Sequence, residues 1–331
     1  MRRPPAHLIV GPDRHGVVRF GIALQEALNA NGFPMQLRRS LGVPPAGAGL
    51  HLQFTDRLFG TDASRAAVAV SELAATSRRV GGRVTATLHD IPQPSDGAHH
   101  STRARAYAAV SADLDAVIVS SEHERLLLLD TGFRGHTTVI PLPVGERART
   151  RTPSSQPSSV GVFGFVYPGK GHIEVLAAMQ GLPADVRMLA IGEPSAGHED
   201  LIDELAASAH AQRRSFVLTG HVPTDALTPL LHEVTVPVAH HRHVSASGSI
   251  NSWLAAGRRP LVPSTRYTRE IAARNPGGPL LYDDDSRSLA MALRAALDDP
   301  ASTWLPDDFI GSPTTDQVAA SYARFLTDVH L

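Results

Sequence analysis

Apolar strand-like runs alternate with helix-like runs along almost the whole of this 331-residue chain. That alternation confines it to folds in which parallel strands are joined through helices packed on the sheet faces. Ahead of the middle, strand candidates fall at residues 7–10, 35–37, 49–53, 84–88, 116–119 and 138–140, with helix candidates at 17–31, 62–77, 101–112 and 122–131. Later strands are expected at 158–163, 187–191, 215–219, 234–239, 260–263 and 280–282, and helices near 173–180, 196–211, 225–232, 250–256, 266–273 and 286–298. Between the two series lies ERARTRTPSSQPSS, rich in Ser and Pro and almost free of apolar residues, which is linker composition. The expectation is therefore an α/β chain of two Rossmann-like doubly wound domains facing each other across a cleft. Residues 1–145 form the first domain, 146–158 a linker, 159–312 the second domain, and 313–331 a final helix. Ligands of such sheets sit at the carboxyl ends of the strands.

Composition narrows the partners. Hydrophobic residues make up 42% of the chain and charged residues 19%, so it can build two cores. A net charge of −1 gives no general pull toward nucleic acid or an anionic membrane. The Arg2-Arg3, Arg38-Arg39, Arg78-Arg79 and Arg213-Arg214 pairs are expected to be solvated surface. Without cysteine there is no disulfide, thiolate ligand or thiol nucleophile. The apolar run before Gly11 is too short for a signal peptide, and no stretch approaches a membrane span. A cytoplasmic protein is expected, with peripheral membrane contact left open.

The loops at the strand ends carry the candidate chemistry. Lys170 is the only lysine; the rest of the 31 Lys+Arg residues are arginines. It sits in Gly164-Phe165-Val166-Tyr167-Pro168-Gly169-Lys170-Gly171, between an apolar strand and a helix start. Backbone N–H groups and a helix N-terminus accept an anion at such a place, and a compact ammonium caps it. The alternative is a surface lysine with no role. Gly11-Pro12-Asp13-Arg14-His15-Gly16 opens the first helix but is not Gly-x-Gly-x-x-Gly, which speaks against a nicotinamide enzyme. His89-Asp90 ends a strand and can present an imidazole to a ligand; a plain loop histidine capping the next turn is the bland alternative. Later, Ser245-Ala246-Ser247-Gly248-Ser249 leads into a helix, where hydroxyls and unhindered N–H groups suit a diphosphate. A Ser-rich N-cap without ligand would look the same. His240, His241 and His243 lie at a strand end and cannot all point one way, so no metal site is expected there.

Taken in order, these pieces resemble a GT-B glycosyltransferase of the retaining, GT4-like group (glycosyltransferase group 1). The resemblance spans nearly the whole chain. It rests on the Gly16 loop, His51-Leu52-Gln53-Phe54-Thr55-Asp56, Thr87-Leu88-His89-Asp90, Ser120-Ser121-Glu122-His123-Glu124 and Pro141-Leu142-Pro143. In the second half it rests on the Lys170 loop, Ile191-Gly192-Glu193, Leu218-Thr219-Gly220-His221-Val222 and Leu254-Ala255-Ala256-Gly257-Arg258-Arg259-Pro260. The resemblance implies that Lys170 and Gly169 hold the donor diphosphate, that the backbone at Gly220 and Val222 receives the base, and that Ser247, Gly248 and Ser249 bind phosphate. It places His89 beside the transferred sugar near Gly16, with Arg14, His15 and Asp90 on the acceptor side. It implies a nucleoside diphosphate sugar as donor, a hydroxyl acceptor (small molecule, glycan or lipid-linked), cleft closure that excludes water, and a final helix at about 315–329 crossing back to the first domain. No resident cofactor or metal and no nucleic acid partner is implied.

Two departures from that family pattern stand out. The usual Glu-x7-Glu pair falls on Val244 and Ser252, and Gly164 stands where an arginine often precedes the lysine. Losing one charge-assisted contact to a diphosphate costs about 1.5–3 kcal/mol. Arg242, Arg266 and Arg269 are the candidate substitutes. These losses keep a non-catalytic GT-B subunit, binding a sugar, a nucleotide or a partner enzyme, as the alternative. A non-hydrolysing nucleotide-sugar epimerase shares the shape but needs acid/base carboxylates that are not evident here.

Overall fold

The computed structural model describes residues 4–42, 47–148 and 157–331. The chain divides into two compact units, one comprising Met1–Pro143 with Pro313–Leu331 and the other Val144–Ser312. Unit 1 runs β1 (Ala6–Leu8), α1 (Gly16–Ala30), β2 (Leu37–Arg38), β3 (Leu50–Phe54), α2 (Asp56–Phe59), α3 (Ala63–Arg79), β4 (Val84–Leu88), α4 (His100–Ala112), β5 (Ala116–Val119), α5 (Glu122–Asp130) and β6 (Thr137–Val139). Unit 2 holds β7 (Ser159–Phe163), α6 (His172–Ala178), β8 (Arg187–Ile191), α7 (Asp200–Ala211), β9 (Phe216–Leu218), α8 (Thr224–Glu233), β10 (Val236–Val238), α9 (Gly248–Ala255), β11 (Leu261–Pro263), α10 (Arg266–Arg274), β12 (Leu280–Tyr282) and α11 (Ser286–Asp298). The last helix, α12 (Thr315–His330), belongs to unit 1.

Each unit is built on a six-stranded parallel sheet, ordered β2-β1-β3-β4-β5-β6 and β12-β11-β10-β7-β8-β9. The strand order therefore reverses between β1 and β3 in unit 1 and between β7 and β10 in unit 2, which are the topological switch points where ligands of open α/β sheets bind. Helix starts follow local chemistry: Asp62, Ser121 and Asp285 cap α3, α5 and α11, each accepting from a backbone N–H three residues on. Thr314 and Gln317 close a reciprocal capping box on α12.

The two faces of the first sheet differ. Leu50, Leu52, Phe54, Val84, Ala86 and Leu88 pack with Val70 and Leu73 of α3 and Tyr107 and Val110 of α4. The intervening residues on the other face are polar yet buried: His7, His51, Gln53, Thr85 and Thr87. Around them α1 and α12 bring Leu24, Leu28, Tyr322, Phe325 and Leu326 against β5. Polar groups in such a place stand only when hydrogen-bonded, and these are. His51 bonds Thr85 Oγ1 (2.9 Å) and Thr87 Oγ1 (3.1 Å), while Tyr322 of α12 meets Thr87 and His330 meets Thr85.

Several details differ from expectation. Arg214 is not solvated surface. It is buried, and its guanidinium donates to the carbonyls of Met179, Leu182, Pro183 and Val186, closing the turn between α6 and β8. The chain enters unit 2 at Val144, ahead of the boundary expected after residue 145. Ala148 donates to Ala255 O (2.8 Å) and Arg147 to Pro306 O (2.6 Å), so the head of the Ser/Pro-rich stretch is tied to unit 2. Residues 149–156 of that stretch lie outside the described residues. The strand expected at 35–37 is the two-residue β2, Leu37–Arg38, and the short helix α2 had no signal in the sequence pattern. Among the described residues no helix is long and apolar enough to cross a membrane.

Candidate functional site

The switch point of unit 2 gathers the residues singled out around Lys170. The chain leaves β7 through Gly164, turns back over Tyr167-Pro168-Gly169, and buries the Lys170 side chain to 6% exposure. Its ammonium donates to Ser249 Oγ, 3.0 Å away. Lys170 makes no ion pair with any described residue. Burial alone lowers its pKa to about 7. An isolated buried ammonium costs several kcal/mol, and the Ser249 hydroxyl is the side-chain partner that offsets part of it here.

The surrounding loops are shaped to that side chain. Gly164 has φ +120°, and a Cβ there would lie 2.7 Å from Lys170 Nζ. A side chain at that position would have to adopt a backbone conformation that L residues rarely take and to displace the end of the lysine. Gly171 has φ +88°, and a Cβ would strike His240 O, so only glycine lets the loops after β7 and β10 touch. Ser247 caps α9, accepting from Ile250 N, while its own N–H donates to Tyr267 Oη at 2.7 Å. His241 Nε2 lies 3.0 Å from Ser247 Oγ and 3.1 Å from Ser249 Oγ. His241 and Ser247 therefore hold Ser249 against the lysine.

His172 completes the wall. It is 1% exposed, and neither ring nitrogen has a hydrogen-bond partner. Burial, then the neighbouring Lys170 charge, push its pKa down to about 3. Burial likewise pushes His241 well below the usual histidine range, with Lys170 adding to it. The groups beside Lys170 Nζ are neutral: the Ser249 hydroxyl and the imidazoles of His172 and His241. Of the three candidate substitutes for the missing arginine, Arg266 is exposed at the start of α10 and the other two are engaged elsewhere. Arg242 pairs with Glu174 at 3.3 Å, although its N–H reaches Gly169 O, and Arg269 bonds Ser264. His240 turns to Tyr282 Oη instead of joining His241, so the three histidines of the run do not converge. Ser252, one of the Glu-x7-Glu positions, donates to Gly248 O at 3.0 Å within α9.

Gly220 and Val222 follow β9 at the sheet edge, two strands from β7. Their loop joins the Lys170 loop in steps: Gly164 N donates to Ile191 O, and Gly192 N to Thr219 Oγ1 at 3.0 Å. Gly248 opens α9 beside Ser249.

In unit 1, His89 ends β4 and is 6% exposed. Its Nε2 bonds Gln53 Oε1 at 2.9 Å, Tyr107 Oη donates to its carbonyl at 2.7 Å, and the Phe20 ring stands edge-on 5.6 Å away. Burial lowers its pKa to about 4, with Asp90 opposing and His15 assisting. Asp90 takes a left-handed φ of +53°, held by Thr55 Oγ1 (3.0 Å) on its carboxylate and Arg103 (2.9 Å) on its carbonyl. Asp is one of the few non-glycine residues that take this conformation at modest cost. His15 caps α1 by accepting from Val17 N at 3.2 Å, next to Gly16, whose Cα faces open space. Arg14 is exposed.

Sequence reasoning missed His172 and His241 as neighbours of the lysine, because it weighed the histidine run only as a metal site. It also missed His7 and Gln53. The signal for Gln53 was present in the strict polar–apolar alternation of Leu50-His51-Leu52-Gln53-Phe54, in a strand that parallel packing covers on both faces.

No protein-family model matches the chain, and no curated protein matches its sequence. Solved structures do match its fold. HepE of Anabaena, solved with UDP-glucose, aligns with a TM-score of 0.68 at 15% identity over 98% of this chain and 97% of its own. Sucrose-phosphate synthase of Thermosynechococcus elongatus aligns with a TM-score of 0.67 at 16% identity, covering 99% and 95%. TarM of S. aureus, solved as a mutant with UDP, aligns with a TM-score of 0.61 at 12% identity over 94% of this chain and 56% of its own. These are GT-B glycosyltransferases, and two parallel-sheet Rossmann-like units of the GT-B kind are the fold of this chain.

Proposed function

We propose that this protein is a glycosyltransferase that moves a sugar from a nucleoside diphosphate sugar to a hydroxyl group, with retention of anomeric configuration. The observation that carries the reading is Lys170, a buried ammonium at a switch point with a hydroxyl at a helix start as its partner and no carboxylate. The donor diphosphate supplies the missing charge. Ser247, Gly248 and Ser249 offer hydroxyls and N–H groups at the start of α9, and Gly169 lets the backbone approach. Gly220 and Val222 receive the base. The binding of UDP and UDP-glucose by the Anabaena neighbour supports a donor of that class.

In this reading the leaving diphosphate takes up negative charge as the glycosidic bond breaks. Lys170 and the α9 N-terminus stabilise that charge, which is where a fixed cation lowers the barrier most. The departing phosphate oxygen takes the acceptor proton, so no protein base and no metal is needed for the transfer. His89 contacts the transferred sugar near Gly16, and Arg14, His15 and Asp90 lie on the acceptor side. The protein works in the cytoplasm, where nucleotide sugars are made.

The absence of carboxylates at Val244 and Ser252 supports the second reading, a GT-B subunit that binds without transferring. A thermal-shift titration against UDP, GDP, ADP, dTDP and NAD separates the outcomes. Saturable stabilisation by one diphosphate, about 2.7 kcal/mol at a hundredfold excess over Kd, identifies the base. Its loss in Lys170→Ala assigns the site, and full retention of affinity there removes the assignment. Transfer from the matching donor, with the product anomer read by NMR, then distinguishes enzyme from binding subunit. Activity abolished by EDTA and restored by a divalent ion would overturn the metal-free mechanism.

A further inference from the structure

The polar layer of unit 1 contains a hydrogen-bond chain with only one possible direction. It starts at Met35 O, which can only accept. Gln25 Nε2 donates to that carbonyl at 2.6 Å, so Gln25 Oε1 is the atom left for His7 Nδ1, 2.9 Å away. An amide oxygen only accepts, so His7 carries its proton on Nδ1. The neutral ring then has a bare Nε2. Gln53 Nε2 lies 2.9 Å from it and must be the donor. That turns Gln53 Oε1 toward His89 Nε2, also 2.9 Å away, so His89 must donate there. No choice of amide orientation or tautomer remains once the Met35 carbonyl is in place. His7 is fully buried and its pKa is lowered to about 4 by burial, which keeps it neutral and keeps the logic intact.

We infer that Gln25, His7 and Gln53 are positioning residues for His89: their one-way hydrogen bonds hold it as the Nε2–H tautomer and leave Nδ1 as an acceptor for a ligand. An imidazole fixed in this way selects its contact. A bare Nδ1 repels a phosphate oxygen and receives a hydroxyl hydrogen, so His89 meets a sugar hydroxyl and not the diphosphate. This rests on the proposed reading of His89 as ligand-facing. The groups around the ring are consistent with that tautomer: His15 and Asp90 act on it only electrostatically, Phe20 packs on its edge, and Tyr107 holds its carbonyl.

The test is spectroscopic and needs neither nucleotide nor acceptor. The full chain is labelled with 15N-histidine, and the His89 ring signals are assigned by their loss in His89→Gln. Between about pH 6 and about pH 8, Nε2 is expected to show the protonated shift and Nδ1 the unprotonated one. Gln25→Leu removes the anchor three links away, so His7 can reverse, the Gln53 amide can turn, and His89 shifts toward a mixture with Nδ1–H. A purely structural role for Gln25 would not move the His89 tautomer. A mixed or Nδ1–H wild-type His89, or unchanged His89 shifts in Gln25→Leu, overturns the relay, whatever the nucleotide titration shows. Should Gln25→Leu not fold, the wild-type tautomer still decides.

Discussion

At the scale of the residue, Lys170 sets function against stability. With no anion bound, the folded protein carries the cost of burying an ammonium whose only partner is a hydroxyl. Lys170→Met keeps the stem and removes the charge, while Ser249 Oγ retains His241 and Ser247 as partners. The ligand-free variant is therefore expected to be more stable than the parent by about 1–4 kcal/mol. That corresponds to about 2–4 °C per kcal/mol in calorimetry, and nucleoside diphosphate binding should be lost. A lower melting temperature would show that the lysine is not under strain. The same group gives a pH dependence of known sign. Its folded pKa of about 7 lies below the ordinary lysine value of 10.5, so between those values the unfolded chain holds the proton that the folded chain has shed. Stability without ligand then rises with pH across that window. Diphosphate binding restores the charged form, so above about pH 7 it takes up a proton, and affinity should fall by up to about tenfold per pH unit. Calorimetric titration in buffers of different ionisation enthalpy reads that proton uptake directly.

At the scale of the element, the arginines explain why one lysine stands alone. Arg258 leaves α9 at its C-terminal end, is fully buried, and donates to the carbonyls of Leu231, His232, Val234 and Thr235 and to Thr303, with its guanidinium 4.1 Å from the Trp304 ring centre. Arg214 does the same between α6 and β8. A planar fork of five donors can close several carbonyls at once, and a single ammonium cannot. Arg258→Lys, conservative in charge, is expected to cost about 3 kcal/mol in denaturant unfolding. A loss below about 0.5 kcal/mol, the usual range for surface changes, would refute the role. These positions also mark where the sequence stops being legible. Strand–helix alternation located nearly every element, because burial periodicity is local. It could not tell Arg214, which gathers four carbonyls, from Arg213 beside it, because those carbonyls come together only through the turn. The candidate site divides the same way. Lys170 and Ser249 were legible as loop residues at strand ends. Gln53 was not, because its partners His7 and His89 lie on or beside other strands of the sheet, and His172 and His241 were not, because the sequence does not show that the loops after β7 and β10 bury both rings beside the lysine.

At the scale of the whole molecule, the chain returns its last helix to the unit it began with, and that return is a dependency. Val318, Ala319, Tyr322, Phe325 and Leu326 are buried against α1 and β5, and Tyr322 and His330 hydrogen-bond the polar face of β4. Five such side chains are worth about 1.5–3 kcal/mol each for the larger ones, which rivals the whole stability of a domain at about 5–15 kcal/mol. Thr85 and Thr87 would also lose the partners that Tyr322 and His330 give them. A chain ending at Ser312 is therefore expected to lose unit 1 and keep unit 2, whose core of Val160, Val162, Val236 and Val238 draws nothing from α12. Hydrogen exchange reads this: amides of β3 and β4 should lose protection while those of β7 and β10 keep it. Because Lys170, Ser247 and Ser249 all lie within Val144–Ser312, the proposed site predicts that the shortened chain keeps any diphosphate binding found for the full chain, while any transfer activity should vanish. Loss of diphosphate binding with β7 and β10 still protected would mean that the anion site draws on unit 1 after all.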